Sequence, residues 1–132
     1  MIDEQEWLDA WNSQRAGPVI AVSDPDVEVH AVTLGIEGRH YRGHDGLRQW
    51  MREIGERFRA YSRIGSIEQL AEDALLLCGT LYVSDDFGGE EEQRFAMVVH
   101  LRADKALWIG TFFSATDARA AFKAGVTGPV TG

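Results

Sequence analysis

Along residues 47–58 the apolar positions are Leu47, Trp50, Met51, Ile54 and Phe58, at i, i+3, i+4, i+7 and i+11. That spacing is the 3.6-residue period of a helix with one buried stripe. Arg48, Arg52, Glu53, Glu56 and Arg57 fill its other faces. Residues 3–15 carry a second stripe, Trp7, Leu8 and Trp11, behind Asp3, Glu4 and Glu6. Acids in a first turn favour the positive end of the helix dipole, so a helix is expected here too. Gly17-Pro18 marks its end, and residues 19–22 form a short helical or irregular piece. Ser23-Asp24-Pro25-Asp26 is a turn signal.

The period then switches to two. VEVHAVT, residues 27–33, is β-branched and partly alternating, which predicts a strand. Residues 40–42 read as a short extended piece. Four longer extended stretches follow the central helix, at 61–70, 74–84, 94–102 and 106–113. Turn chemistry separates them: Glu72-Asp73, residues 85–89, and Ala103-Asp104-Lys105. Short links between long strands imply an antiparallel meander. Residues 114–124 form a last short helix, capped by Ser or Thr and stopped by Gly125. The expected domain is 1–125, with 126–132 as a flexible tail. Helices gather early and strands late, which makes the class α+β, with helices on one face of a curved antiparallel sheet.

Composition narrows the function classes. At 132 residues, 45% apolar and 26% charged, the chain fits one globular domain. A net charge of −8 argues against nucleic acid and against anionic membranes, both of which call for Lys and Arg. A single cysteine, Cys78, excludes an internal disulfide and a Cys₄ or Cys₂His₂ zinc site. No apolar run approaches the ~20 residues of a membrane span. MIDEQEWLDAW has no basic region followed by an apolar one, so no secretory signal is expected and a cytoplasmic location is.

RHYRGHDGLRQW, residues 39–50, sets His40 and His44 four apart, a zinc-binding spacing if both lay on one helix. Gly43 and Gly46 interrupt the stretch and the helical pattern begins only near Leu47. His44 or Asp45 is then expected at the helix N-cap, with His40 in the extended piece before it. No metal site is expected. Glu90-Glu91-Glu92 is unlike a calcium loop and reads as a solvated hairpin. No nucleophile triad, phosphate loop or cofactor fingerprint appears, so no cofactor is expected.

Three strings carry a family likeness: SDPDVEVHAV at 23–32, YRGHDGLRQWMREI at 41–54 and RFAMVVHLRADKALWIGTFF at 94–113. Together with ATDARA at 115–120 they resemble the nuclear transport factor 2-like superfamily, and within it the SnoaL-like (polyketide cyclase-like) branch. The resemblance spans residues 6–124. It implies a cone: a strongly curved sheet with three helices that enclose an apolar cavity. Members include polyketide cyclases, steroid isomerases, epoxide hydrolases, dehydratases and non-catalytic binding or scaffold proteins, so fold alone leaves function open.

The family pattern, with strand alternation, implies which side chains line the cavity. Ile109, Thr111 and Phe113 would face it from the last strand, and Phe95, Met97, Val99 and Leu101 from the strand before. Leu76, Cys78, Thr80 and Tyr82 would do so from the middle strand. Trp50 and Met51 would close it from the helix side, with Trp7 or Trp11. Such a sparse polar set among apolar walls suits a hydrophobic small molecule. It equally suits a filled core.

By the same resemblance, His30 matches the place of the catalytic base of steroid isomerases, there an aspartate. Burial would keep its imidazole neutral and able to take a proton. Glu28, two residues earlier and roughly 6–7 Å away by strand rise, would orient it. Trp7 and Met97 stand where the isomerases have their oxyanion donors. Met97 cannot donate, so the ketosteroid isomerase mechanism itself is not expected. His100, Trp108 and Phe112 would form an apolar outer patch that needs covering, which points to a homodimer. Two functions stay open. One is a cofactor-free cyclase, isomerase or dehydratase acting on a polyketide- or steroid-like substrate. The other is a non-catalytic ligand-binding or scaffold protein.

Overall fold

The computed structural model describes residues 2–31, 39–57 and 60–129. Helix α1 (Glu4–Asn12) starts at Asp3, whose carboxylate accepts from the Glu6 amide, and it buries Trp7, Ala10 and Trp11. It ends earlier than the apolar stripe suggests. Gln14 takes a left-handed φ of 60°, and the side chains of Asn12 and Gln14 turn to bond the backbone at Ile64 and Ser62. Gly17-Pro18 does not end that helix. It sits in the first turn of α2 (Ala16–Ala21), where a missing amide hydrogen costs nothing.

Strand β1 (Ser23–Ala31) includes the Ser-Asp-Pro-Asp segment that reads as a turn. Its turn chemistry appears instead as an irregularity, a register shift between Ser23 and Glu28. Asp24 accepts from the Asp26 amide at 2.8 Å and takes two hydrogen bonds from the Arg102 guanidinium, which also reaches Asp26. β2 (Arg39–Arg42) pairs antiparallel with β1 and leads into α3 (Gly43–Arg52). The N-cap of α3 is Arg42, without a side-chain bond, so neither His44 nor Asp45 caps it. His44 lies inside the helix and bonds the Ser23 carbonyl at 3.1 Å, while Asp45 pairs with Arg48. A π-helical turn, Glu53–Arg57, extends α3. Phe58 lies outside the described residues.

The meander follows as expected: β3 (Ala60–Ala71), β4 (Ala74–Ser84), β5 (Glu90–Arg102) and β6 (Lys105–Phe112). The sheet order is β2-β1-β6-β5-β4-β3. One feature departs from an all-antiparallel sheet: β1 pairs parallel with β6. The early strand is laid beside the last one, and the intervening helix and strands make the long crossover that a parallel pair requires. The result is an open, curved, six-stranded α+β sheet. At Gly79 a Cβ would stand 2.4 Å from the Arg63 carbonyl oxygen, so only glycine lets β3 cross β4 that closely beside the register shift at Ile64/Ser66.

Two cores follow. On the concave face, α1, α2 and α3 cover Val27, Val29, Leu75, Leu77, Leu81, Phe95, Met97, Val99 and Ile109. On the convex face, α4 (Ala115–Lys123), capped by Ser114, lays Ala118 and Phe122 over Leu76, Ala96, Val98 and Trp108. The three helices expected on one side are thus α1, α2 and α3, and a fourth covers the other side. Trp108 is 6% exposed and Phe112 packs into the same cluster. The outer apolar patch is covered by the chain's own last helix, which removes the ground on which a homodimer was expected. No helix among the described residues is long and apolar enough to cross a membrane.

Candidate functional site: an apolar cavity under the helices

A cavity of about 160 Å³ opens between α1, α3 and the concave face. Trp11 and Gln14 come from the α1 end, Trp50 and Met51 from α3, and Ile54 and Gly55 from the π-helical turn. The sheet contributes Ser62, Leu81, Phe95, Met97 and Thr111, with Tyr61 beside them. Each element places these side chains by its own period. Trp50, Met51 and Ile54 are neighbours on the apolar stripe of α3. Phe95 and Met97 alternate inward on β5, and Met97 stands opposite Thr111.

Two indoles form a corner of the cavity. Trp11 and Trp50 meet edge to face, with centroids 6.3 Å apart and planes at 68°. Trp11 is 4% exposed, and its Nε1 finds no hydrogen-bond partner among the described residues. Gln14 is committed to Ser62, so its amide is a strut rather than a free polar point. Among the described residues, no lining side chain carries a charge at neutral pH. The Tyr61 ring points away from the cavity, since Tyr61 pairs with Tyr82 across β3 and β4 and stacks on it at 4.9 Å. Burial, with the Glu90 carboxylate next, holds its pKa above the ordinary value, and it stays protonated.

Of the expected lining residues, Trp11, Trp50, Met51, Phe95, Met97 and Thr111 come together here. Five do not. Thr80 and Tyr82 lie on the opposite face of β4, because Leu77 pairs with Met97 and Leu75 with Val99, and direct partners point the same way. Leu76 and Cys78 are on that outer side as well. Phe113 lies beyond the end of β6 and is 47% exposed, since strand alternation stops at Phe112. Glu28 and His30 sit on the convex side of β1, because Val27, Val29 and Ala31 take the concave core.

His30 is therefore not in the cavity. Its ring stacks on Trp108 at 5.1 Å and lies 4.1 Å from the His40 ring. Glu28 does not turn toward it as an orienting base would require, but pairs with Arg42 at 3.4 Å. Burial, then the neighbouring His40 and Arg42, lower the His30 pKa against the opposing pull of Glu28. No three His, Cys, Asp or Glu side chains among the described residues are placed to hold a metal ion. Several true lining residues carried weaker signals. Ile54 was marked by the helical stripe, Leu81 needed the correct strand facing, and Gln14 and Ser62 had no distinguishing signal.

No protein-family model matches the chain, and no curated protein matches it. Solved structures do. TerC, co-crystallized with polyporic acid, superposes with a TM-score of 0.69 at 16% identity over 90% of this chain and 96% of that one. A ketosteroid isomerase-like protein from Catenulispora acidiphila DSM 44928, in complex with trimethylamine, gives 0.67 at 12% identity, covering 88% of each chain. The fold is nuclear transport factor 2-like. A putative SnoaL-like polyketide cyclase from Jannaschia sp. CCS1 shares it at a TM-score of 0.65, with 11% identity over 91% of this chain and 90% of that one. In this fold the space between helices and concave sheet is where a cavity can form, and here that space holds the two indoles and two methionines.

Proposed function

We propose that the chain is a ligand-binding protein of the nuclear transport factor 2-like fold, and that it encloses a compact, uncharged hydrophobic molecule. The cavity of about 160 Å³ with uncharged walls carries this reading. An engineered cavity of about 150 Å³ with apolar walls holds one benzene ring, so a single ring fits here, and a larger substrate would extend past Gln14 and Tyr61. Met51 and Met97 suit an aromatic guest, since thioethers contact ring edges favourably. Crystallisation of two structural neighbours with small molecules, polyporic acid and trimethylamine, supports a binding role.

Catalysis is the second reading. A cofactor-free cyclase, isomerase or dehydratase needs an acid or base within reach of its substrate. His30 is on the far face of the sheet, and the Tyr61 ring stacks on Tyr82 on that same outer face. The binding reading stands ahead on that ground.

Calorimetric titration tests it with ethylbenzene and benzoate. Ethylbenzene is expected to bind one per chain. Benzoate is expected to bind at least about tenfold more weakly, because an unpaired carboxylate loses its hydration on burial. Equal binding of benzoate, or no heat from ethylbenzene, contradicts the proposal.

A further inference from the structure

We infer that the convex face carries an oxyanion site, in which Arg63, Thr80 and Arg94 together hold a phosphate group. The site lies on the far side of the sheet from the cavity and does not rest on the binding reading above. Arg63 on β3 and Arg94 on β5 are both direct cross-strand partners of Thr80 on β4. Direct partners point to the same face, so two guanidiniums flank one hydroxyl across about 9–10 Å of sheet. All three residues line an open groove of about 400 Å³ with Cys78 and Tyr82, past the part of the convex face that α4 covers. Both arginines are exposed and Thr80 is half-buried, so a molecule in the groove can reach all three.

The polar groups of this groove are unused. Among the described residues, neither guanidinium meets a carboxylate and the Thr80 hydroxyl has no partner. Arg42, Arg48, Arg102 and Arg119 each hold an acid instead. With 21 acids against 13 Lys and Arg in the chain, partners are not scarce. Two unpaired like charges over one groove repel, and an anion between them turns that repulsion into attraction. The donor set selects the anion. Two guanidinium forks and a hydroxyl offer more donors than the two oxygens of a carboxylate seat well, and they suit the three free oxygens of a phosphate. Glu92, opposite Tyr82, and Glu90, to which the Tyr61 hydroxyl donates, make the hairpin end of the groove acidic. Beyond Cys78, at the other end, Glu68 is held by Arg119. Acids at both ends leave the level of Thr80 as the place for the anion.

The test titrates the protein with inorganic phosphate at pH 7.5 and constant ionic strength, and follows the guanidinium ¹³Cζ signals of Arg63 and Arg94. Both signals are expected to move and to saturate together. Acetate, with two oxygens and one charge, is expected to bind at least about tenfold more weakly. Arg63→Gln and Arg94→Gln are each expected to weaken phosphate at least about tenfold, the scale of one charge-assisted hydrogen bond. Both substitutions are at exposed side chains, and an otherwise unchanged spectrum reports that the fold is kept. Phenyl phosphate binding tighter than inorganic phosphate assigns the groove to phosphate esters, and equal or weaker binding assigns it to the free ion. An equal response to phosphate and acetate, a response at only one arginine, or full affinity in either variant overturns the site and leaves two solvated surface charges. The cavity proposal is untouched by any of these results.

Discussion

The Trp108 indole lies across Gly110 on the convex face, so closely that a Cβ at residue 110 would stand 2.3 Å from Trp108 Cη2. The two residues are on the same face of β6, and the glycine is the gap that lets the ring lie flat. His30 stacks on one side of that ring and His100 meets it edge-on at 5.5 Å. The ring has little room to yield. Gly110→Ala is expected to cost on the order of 1–3 kcal/mol by overpacking. A guanidinium denaturation series measures it, and a change under about 0.5 kcal/mol, the range of ordinary surface substitutions, contradicts the fit described.

The same cluster sets a pH dependence. Burial lowers the pKa of both His30 and His100 below the ordinary histidine value of 6.5. His40, Arg42 and Glu28 face His30, and Asp73 acts on His100. The unfolded chain therefore binds protons first as pH falls, and stability declines from about 6.5 downward until the folded-state rings also protonate. Denaturation midpoints at pH 7.5, 6.5 and 5.5 are expected to fall in that order. The slope is expected to flatten in His30→Asn/His100→Asn. An unchanged slope in that variant would show that other groups carry it.

Asp24 gives a second, more acidic limb. Its hydrogen bonds from Arg102 and the Asp26 amide hold its carboxyl below the ordinary 3.8. That stabilisation is present above the unfolded value and is lost as pH falls through the folded one. Arg102→Met is expected to lower the denaturation midpoint at neutral pH, with the gap to wild type closing toward pH 2. A gap independent of pH would mean that Arg102 acts through packing alone.

How far the sequence exposed these features depends on what each face of an element must bury. The four meander strands were legible because turn residues separate them, and their observed limits differ from the expected ones by a few residues. The facing of β4 was not. Leu75, Leu76 and Leu77 are all buried because α4 covers one side and the helix layer the other. A run that is apolar on both faces has no alternation to read. β1 teaches the reverse. Its own pattern, Val27 and Val29 against Glu28 and His30, places the valines in the core. Likeness to the steroid isomerases drew His30 inward, and the plain alternation was the better guide.

The cavity was legible in part for the same reason. The α3 stripe and the β5 alternation were strong enough to place Trp50, Met51 and Met97. Leu81 was hidden by the ambiguity of β4. It now gives a prediction of its own. Leu81→Ala removes a fully buried wall and is expected to cost on the order of 2–5 kcal/mol. It is also expected to shift ligand preference from single-ring to two-ring compounds such as naphthalene. Competitive titration of ethylbenzene and naphthalene measures the shift, and an unaltered preference would place the ligand elsewhere.

The most direct measurement is where a bound ligand sits. Protein with ¹³C-methyl methionine, titrated with ethylbenzene, reports this through contacts between ligand ring protons and methionine methyl groups. A guest in the cavity is expected to show cross-relaxation to both Met51 and Met97. Contacts to neither methyl, with ligand signals instead at the outer-face residues Tyr82 or Trp108, would contradict the cavity as the functional site.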